Sequence, residues 1–84
     1  MHGRYAEAMV IFKKLYFYYP NGNVAGPAAY NVSCEYAVMG DRELALEWLE
    51  NAFKHGWKNV EYTKQDKDLD TLRDEPRYKK LVGE

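Results

Sequence analysis

The sequence predicts an all-α fold, built from antiparallel helical hairpins and closed by a short C-terminal capping helix. Two observations support this prediction. Apolar residues recur at three- and four-residue intervals in successive segments, as they do on one face of a helix. Each long segment also ends at a helix-breaking residue, namely Pro20, Gly40 or Gly56. Alternation of apolar and polar residues, the pattern typical of strands, is absent from the sequence.

The first predicted helix covers residues 3–19. Its main apolar face consists of residues at helical spacing: Tyr5, Ala8, Met9, Phe12, Leu15, Tyr16 and Tyr19. Val10, Ile11 and Phe17 add apolar surface elsewhere on the cylinder, and with Tyr18 they form a second apolar side. We expect this side to pair with another copy of the chain or with a preceding segment. The alternative is that the C-terminal tail and the connector at residues 21–26, which is rich in turn-forming residues, fold back over it.

The second and third predicted helices form a hairpin. The second begins at about Pro27, which suits the first turn of a helix because its missing amide would be unpaired there. It ends at Met39, where Gly40 supplies the left-handed residue and Asp41 caps the next helix. The third helix ends at residues 55–56 and has a broad apolar stripe, formed by Leu44, Ala45, Trp48, Leu49, Ala52 and Phe53.

The C-terminal segment is predicted to close this hairpin. A short capped helix is expected over residues 59–65, with Val60 and Tyr62 turned inward. An irregular acidic segment follows at 66–72, and Pro76 favours a last helix over residues 75–82. The tail is expected to bury its apolar residues, which are Leu69, Leu72, Tyr78, Leu81 and Val82.

Composition excludes several classes of protein. Eighty-four residues fit one small domain, and 12 basic residues against 13 acidic ones lack the basic footprint of a nucleic-acid-binding or membrane-surface domain. No apolar run approaches the ~18 residues of a membrane span. Met1 leads into a charged, helix-like segment, which differs from the apolar core of a signal peptide. The single cysteine excludes an internal disulfide, and the expected location is the cytoplasm.

An internal repeat relates the first helix to the third, for example through Ala8 and Ala45, which are 37 residues apart. The first helix resembles the second helix of a tetratricopeptide repeat at Gly3, Tyr5, Ala8, Phe12, Leu15 and Pro20. The second and third helices together resemble a complete repeat. The matching residues are Asn31, Val32, Tyr36, Gly40, Asp41, Ala45, Leu49 and Ala52. The tail is similar to one that closes some bacterial repeat arrays, through Asp68, Leu69, Leu72, Arg73, Pro76, Arg77 and Tyr78. One domain then contains a partial repeat (1–20), a complete repeat (27–57) and a cap (58–84).

This resemblance implies a protein–protein interaction module without catalysis, whose partner is a protein or a peptide. The family's binding groove is lined mainly by the first helices of successive repeats. By position, the residues on or near this concave side are Pro27, Tyr30, Asn31, Cys34, Ala37 and Val38, with Tyr62 adjoining from the short helix. The alternative is that so few repeats form no groove. The chain would then be a structural cap or a homo-oligomerisation element of a longer repeat protein, with a homodimer formed through the N-terminal helix.

The sequence predicts no catalytic residue, no metal site and no cofactor. Three carboxylates imitate the first ligands of a calcium-binding loop, namely Asp66, Asp68 and Asp70. The imitation fails because Thr71 takes the position of the required glycine and Arg77 that of the final bidentate glutamate. Cys34 and His55 could suggest a nucleophile or a metal pair, but neither a third ligand nor an orienting group has a credible position.

Overall fold

A computed structural model describes residues 2–20 and 23–84, with side chains from residue 7 onward. These residues form helices and turns without any strand, which confirms the all-α class. In chain order the described elements are α1 (His2–Tyr18), α2 (Ala25–Met39), α3 (Arg42–Lys54), α4 (Val60–Gln65), a 3₁₀ helix (Lys67–Leu72) and α5 (Pro76–Leu81). The expected turn at residues 21–22 and the side chain of Tyr5 lie outside the described residues.

The turn between α2 and α3 forms as its residue types predict. Gly40 has a φ of 91° in the left-handed region, and its amide donates to the carbonyl of Ala37. Asp41 caps α3, because its side chain accepts a hydrogen bond of 3.1 Å from the amide of Leu44. α2 begins two residues before the expected position, so Pro27 is its third residue and still lies in the first turn. The two helices are therefore joined by a tight turn and run antiparallel.

Small residues allow α2 and α3 to approach closely. Ala29, Ala45 and Ala52 are fully buried. Ser33 is buried as well, and its hydroxyl donates a 2.7 Å hydrogen bond to the carbonyl of Ala45 across the helix pair. At the other end of the hairpin, Gly26 lies against the chain that leaves α3. A side chain at residue 26 would clash with this backbone, so α2 depends on a glycine there.

α1 packs against α2 along the face that includes Met9, which is buried, and Phe12, which is partly buried. The helix ends at Tyr18, one residue earlier than expected. Tyr19 therefore lies beyond the helix and is exposed, although its spacing placed it on the inner face. The expected inner face is thus correct for the body of α1 and wrong for its last residue.

The short helix α4 begins at the predicted cap, since the side chain of Asn59 accepts a hydrogen bond from the amide of Tyr62. The expectation that Tyr62 turns inward is wrong, because its side chain is 55% exposed. Thr63 takes the inward position. Its hydroxyl donates to the carbonyl of Asn59 at 2.8 Å and accepts from the indole nitrogen of Trp57 at 2.9 Å. Adjacent residues on a helix differ by about 100° in direction, so Tyr62 must point away.

The acidic segment after α4 is an ordered 3₁₀ helix, where the sequence predicted irregular structure. Asp66 starts it by accepting the amide of Asp68, and its anchors Leu69 and Leu72 are fully buried as expected. α5 then buries Tyr78 and lies against α3. Arg77 fastens this contact with two hydrogen bonds to Glu50, at 2.9 and 2.8 Å, and one to Glu43 at 2.6 Å.

Candidate interaction surface

The outer face of α1 is a row of exposed, mainly apolar side chains on the side of the helix that points away from α2. It consists of Glu7, Val10, Ile11, Lys14, Phe17 and Tyr18, which share an arc of about 120° at 3.6 residues per turn. The four apolar members are exposed by 53% (Val10), 59% (Ile11), 65% (Phe17) and 74% (Tyr18). They are the residues that the sequence marked for self-association, and the association itself stays a prediction.

A shallow, open groove runs along this face. Its volume is about 410 Å³, and it is lined by Val10, Lys13, Lys14, Phe17 and Tyr18. Three of the five lining side chains are apolar or aromatic, and the other two are lysines. Aromatic side chains supply much of the binding energy where they are buried at an interface. The groove therefore has the composition of a docking surface for an apolar helix face.

The inner side of α1 is engaged with the hairpin. The ammonium of Lys13 donates a 2.6 Å hydrogen bond to the hydroxyl of Tyr36. The same ammonium lies 5.0 Å from the ring centroid of Tyr36 and 5.5 Å from that of Trp48, within the range of cation–π attraction. The ring of Tyr16 meets the rings of Trp48 and His55 edge-on at 5.0 and 4.9 Å. These contacts fix the direction in which the outer face points.

Three of the residues assigned to a concave binding side are buried. Tyr30, Cys34 and Ala37 lie in the core, where the expectation placed them on or near an open surface. The ring of Tyr30 stacks on Trp57 at 4.0 Å, and its hydroxyl donates a 2.6 Å hydrogen bond to Asp66. The thiol of Cys34 donates to the same carboxylate oxygen at 3.5 Å. The tail covers Tyr30 and Cys34, and Ala37 is buried as well, so these three side chains do not form a free surface.

The other four residues of that set remain exposed, namely Pro27, Asn31, Val38 and Tyr62. The side-chain amide of Asn31 donates to the carbonyl of Pro27 at 2.9 Å, so it is already used within its own helix. Tyr62 lines a shallow groove of about 340 Å³ with Gln65, Asp66 and Lys67. The peptide-binding role assigned to the four residues stays a prediction.

Cys34 lies beside carboxylates in the folded chain; His55 was considered as its partner from the sequence, and that pair was rejected. One ligand atom each of Cys34, Asp66 and Asp68 lies within 4.8 Å of the others. Burial, followed by the charge of Asp66, raises the pKa of the Cys34 thiol and keeps it protonated. Burial also raises the pKa of Asp68, with help from the nearby charges of Asp66 and Asp70. A protonated thiol that donates to a carboxylate is a structural contact and a poor nucleophile.

Comparisons with known proteins give a partial match. No family model matches the chain, and no solved structure matches it. The chain is 35% identical over 72 residues to a chloroplastic protein from Arabidopsis thaliana. The match includes 86% of this chain and 22% of that protein, so the chain spans less than a quarter of the relative's length. The relative's name describes a chloroplast protein, which gives no support to a cytoplasmic location. In the described residues, no helix is long and apolar enough to cross a membrane.

Proposed function

We propose that this chain is a protein–protein interaction module of the tetratricopeptide type, with a scaffold or assembly role and no catalysis. The observation that carries the proposal is the outer face of α1, where four large apolar side chains are more than half exposed. Contiguous exposed apolar surface on a folded chain marks a place where another molecule binds. With a net charge of −1, the chain is suited to a protein partner and lacks the charge that would attract nucleic acid or a membrane.

Three features support the tetratricopeptide arrangement. α2 and α3 form a hairpin with a turn at Gly40 and Asp41, small residues line their contact, and α1 packs on α2 as the preceding helix of a stack would. In such a stack each helical unit leaves an apolar side for its neighbour. The outer face of α1 then corresponds to the side that faces a neighbouring helix in such a stack.

The apolar part of this face can supply a useful but moderate binding energy. Full burial of a large apolar side chain contributes roughly 1.5–3 kcal/mol, and the four side chains start from partial exposure. Their combined gain is therefore on the order of 4–6 kcal/mol. Loss of translational and rotational freedom opposes this gain. A partner must add further contacts, and we expect a reversible complex.

A second candidate function is a purely structural cap or homo-oligomerisation element of a longer repeat protein. It is favoured by the tail, which covers Tyr30 and Cys34 on the side where the resemblance places the peptide-binding groove. Substitution of Tyr30 or Cys34 would disturb this packing together with any binding. Those two positions therefore cannot distinguish the candidates, and exposed positions on α1 are needed.

Site-specific photocross-linking tests the proposal. We expect para-benzoylphenylalanine at the position of Ile11 to form covalent adducts with protein when the chain is irradiated in an extract of its own cells. The matched control has the same cross-linker at Lys58, which is exposed in the connection between α3 and α4. Adducts that depend on position 11 support a docking surface. If the two positions give the same adducts or none, the outer face of α1 is not an interaction surface and the proposal is wrong.

A further inference from the structure

We propose that the outer face of α1 binds the same face of a second copy of this chain, with the two helices antiparallel and Glu7 of each copy paired with Lys14 of the other. This inference rests on the proposed function and names the partner of the same surface. It follows from the order of charged and apolar residues along α1, because that order is complementary to its own reverse.

The charges give the first argument. Glu7 and Lys14 are both exposed and both lie on the outer face. Neither takes part in an ion pair within residues 7–20 and 23–84. They are seven residues apart, which is two helical turns or about 10.5 Å along the axis. In an antiparallel pair related by a two-fold axis, each contact occurs twice. Glu7 of each copy then lies opposite Lys14 of the other, which gives two contacts between opposite charges.

The apolar residues give the second argument. The register that pairs Glu7 with Lys14 also places Val10 of one copy beside Ile11 of the other, at the centre of the contact.

One competing register is disfavoured by Lys14. If the two-fold axis passed through Lys14 itself, each lysine would face its counterpart in the other copy, and like charges across an interface oppose association. Only one antiparallel register pairs Glu7 with Lys14, which makes the pairing testable residue by residue. A contact made by one helix face is small beside a standard interface of ~1,600 Å². We expect dissociation constants in the range of tens to hundreds of micromolar, typical of weak complexes.

Charge reversal tests this pairing on the purified 84-residue chain. Sedimentation equilibrium measures self-association of the unaltered chain and of the variants Glu7→Lys and Lys14→Glu. Each single reversal puts like charges opposite each other at both symmetric contacts, so each should weaken the dimer by about tenfold or more. A mixture of the two variants restores opposite charges at both contacts. The mixture should therefore associate, although neither variant does so alone.

Two controls separate this effect from net charge. Glu47→Lys and Lys58→Glu make the same charge changes at exposed positions outside α1, and they should leave the dimer unchanged. Circular dichroism should show equal helix content in all variants, because both α1 positions are exposed. The helix content of the single variants also shows whether they are folded when they fail to associate.

The pairing is wrong if the unaltered chain is monomeric at about 500 micromolar, a concentration above the dissociation constant expected for a weak interface. It is also wrong if the two variants fail to associate with each other, or if the controls weaken the dimer equally. A monomeric chain that still gives cross-links to other proteins from position 11 would overturn this inference and leave the proposed function standing.

Discussion

At the residue scale, Tyr30 joins α2 to the tail through two contacts of different chemistry. Its ring stacks on Trp57, which follows α3, and its hydroxyl donates to Asp66, which precedes the 3₁₀ helix. Burial, together with the hydrogen bond to Asp66, raises the pKa of the Tyr30 hydroxyl and keeps it as a donor. One side chain thus holds together three segments that are distant in the sequence.

Tyr30→Phe should destabilise the chain by about 1–2 kcal/mol, because it keeps the stacked ring and removes a buried hydrogen bond to a carboxylate. Urea unfolding followed by circular dichroism measures the change. Tyr62→Phe is the matched control, since that ring is exposed and we expect little change in stability. Equal losses in both variants would show that the bond between Tyr30 and Asp66 does not stabilise the fold.

Glu35 is a buried carboxylate on α2 whose Oε2 atom has no hydrogen-bond partner among the described residues. Burial raises its pKa above the ordinary value of 4.5. Folding then favours the protonated form, so its full contribution to stability is present below about pH 4.5. The contribution is lost as pH rises through the pKa of the folded chain. Above that pKa, the ionised carboxylate of Glu35 therefore weakens the fold.

Glu35→Gln should raise the free energy of unfolding at about pH 7, and should raise it less at about pH 4, because glutamine removes the buried charge without changing the size of the side chain. Urea unfolding at the two pH values measures the difference. Glu61→Gln serves as the comparison, since Glu61 is exposed. A loss of stability at neutral pH would mean that the ionised carboxylate of Glu35 is held favourably in the folded chain.

At the element scale, α2 closely approaches the chain that leaves α3 at Gly26. A β-carbon there would lie 2.7 Å from the amide nitrogen of Trp57 and 2.9 Å from the carbonyl oxygen of His55. Both atoms belong to the backbone, so neither can move aside as the end of a flexible side chain could. The glycine thus sets how tightly the hairpin closes.

Gly26→Ala should destabilise the chain by about 1–3 kcal/mol, the usual cost of overpacking. The sign of this change is informative, because glycine to alanine within a helix otherwise stabilises by roughly 1 kcal/mol. Thermal and urea unfolding give the measurement. Asn31→Ala, at an exposed position of the same helix, should change stability by much less. A stabilised Gly26→Ala variant would show that the two helix ends can separate at little cost.

The long helices could be predicted from the sequence, and the inward side of the short helix α4 could not. α1, α2 and α3 were predictable because each has enough residues for a clear period and ends at a proline or a glycine. α4 has six residues, too few for periodicity to fix which side faces inward, so Tyr62 was expected where Thr63 lies. The polar Thr63 could not be recognised as buried, because its hydroxyl is satisfied only once Trp57 is in place.

At the scale of the whole molecule, the two sides of the helix stack differ in how far the sequence reveals them. The outer face of α1 was predictable because Val10, Ile11 and Phe17 exceed what one buried side of a helix can hold. The burial of Tyr30 and Cys34 under the tail was not predictable. It depends on the path of the tail, which brings Asp66 to Tyr30 across 36 positions of sequence, and no local pattern encodes that path.

The covered side of α2 also bears on how many copies an assembly of this chain can contain. In the proposed pairing each copy uses the outer face of α1, and a two-fold contact leaves neither of those faces available for a third copy. On the other side, the tail covers α2 with its 3₁₀ helix, where Leu69 and Leu72 are buried, and covers α3 with α5, where Tyr78 is buried. Growth into a filament would require displacement of that tail. Under the proposed pairing, an assembly of this chain would therefore contain two copies.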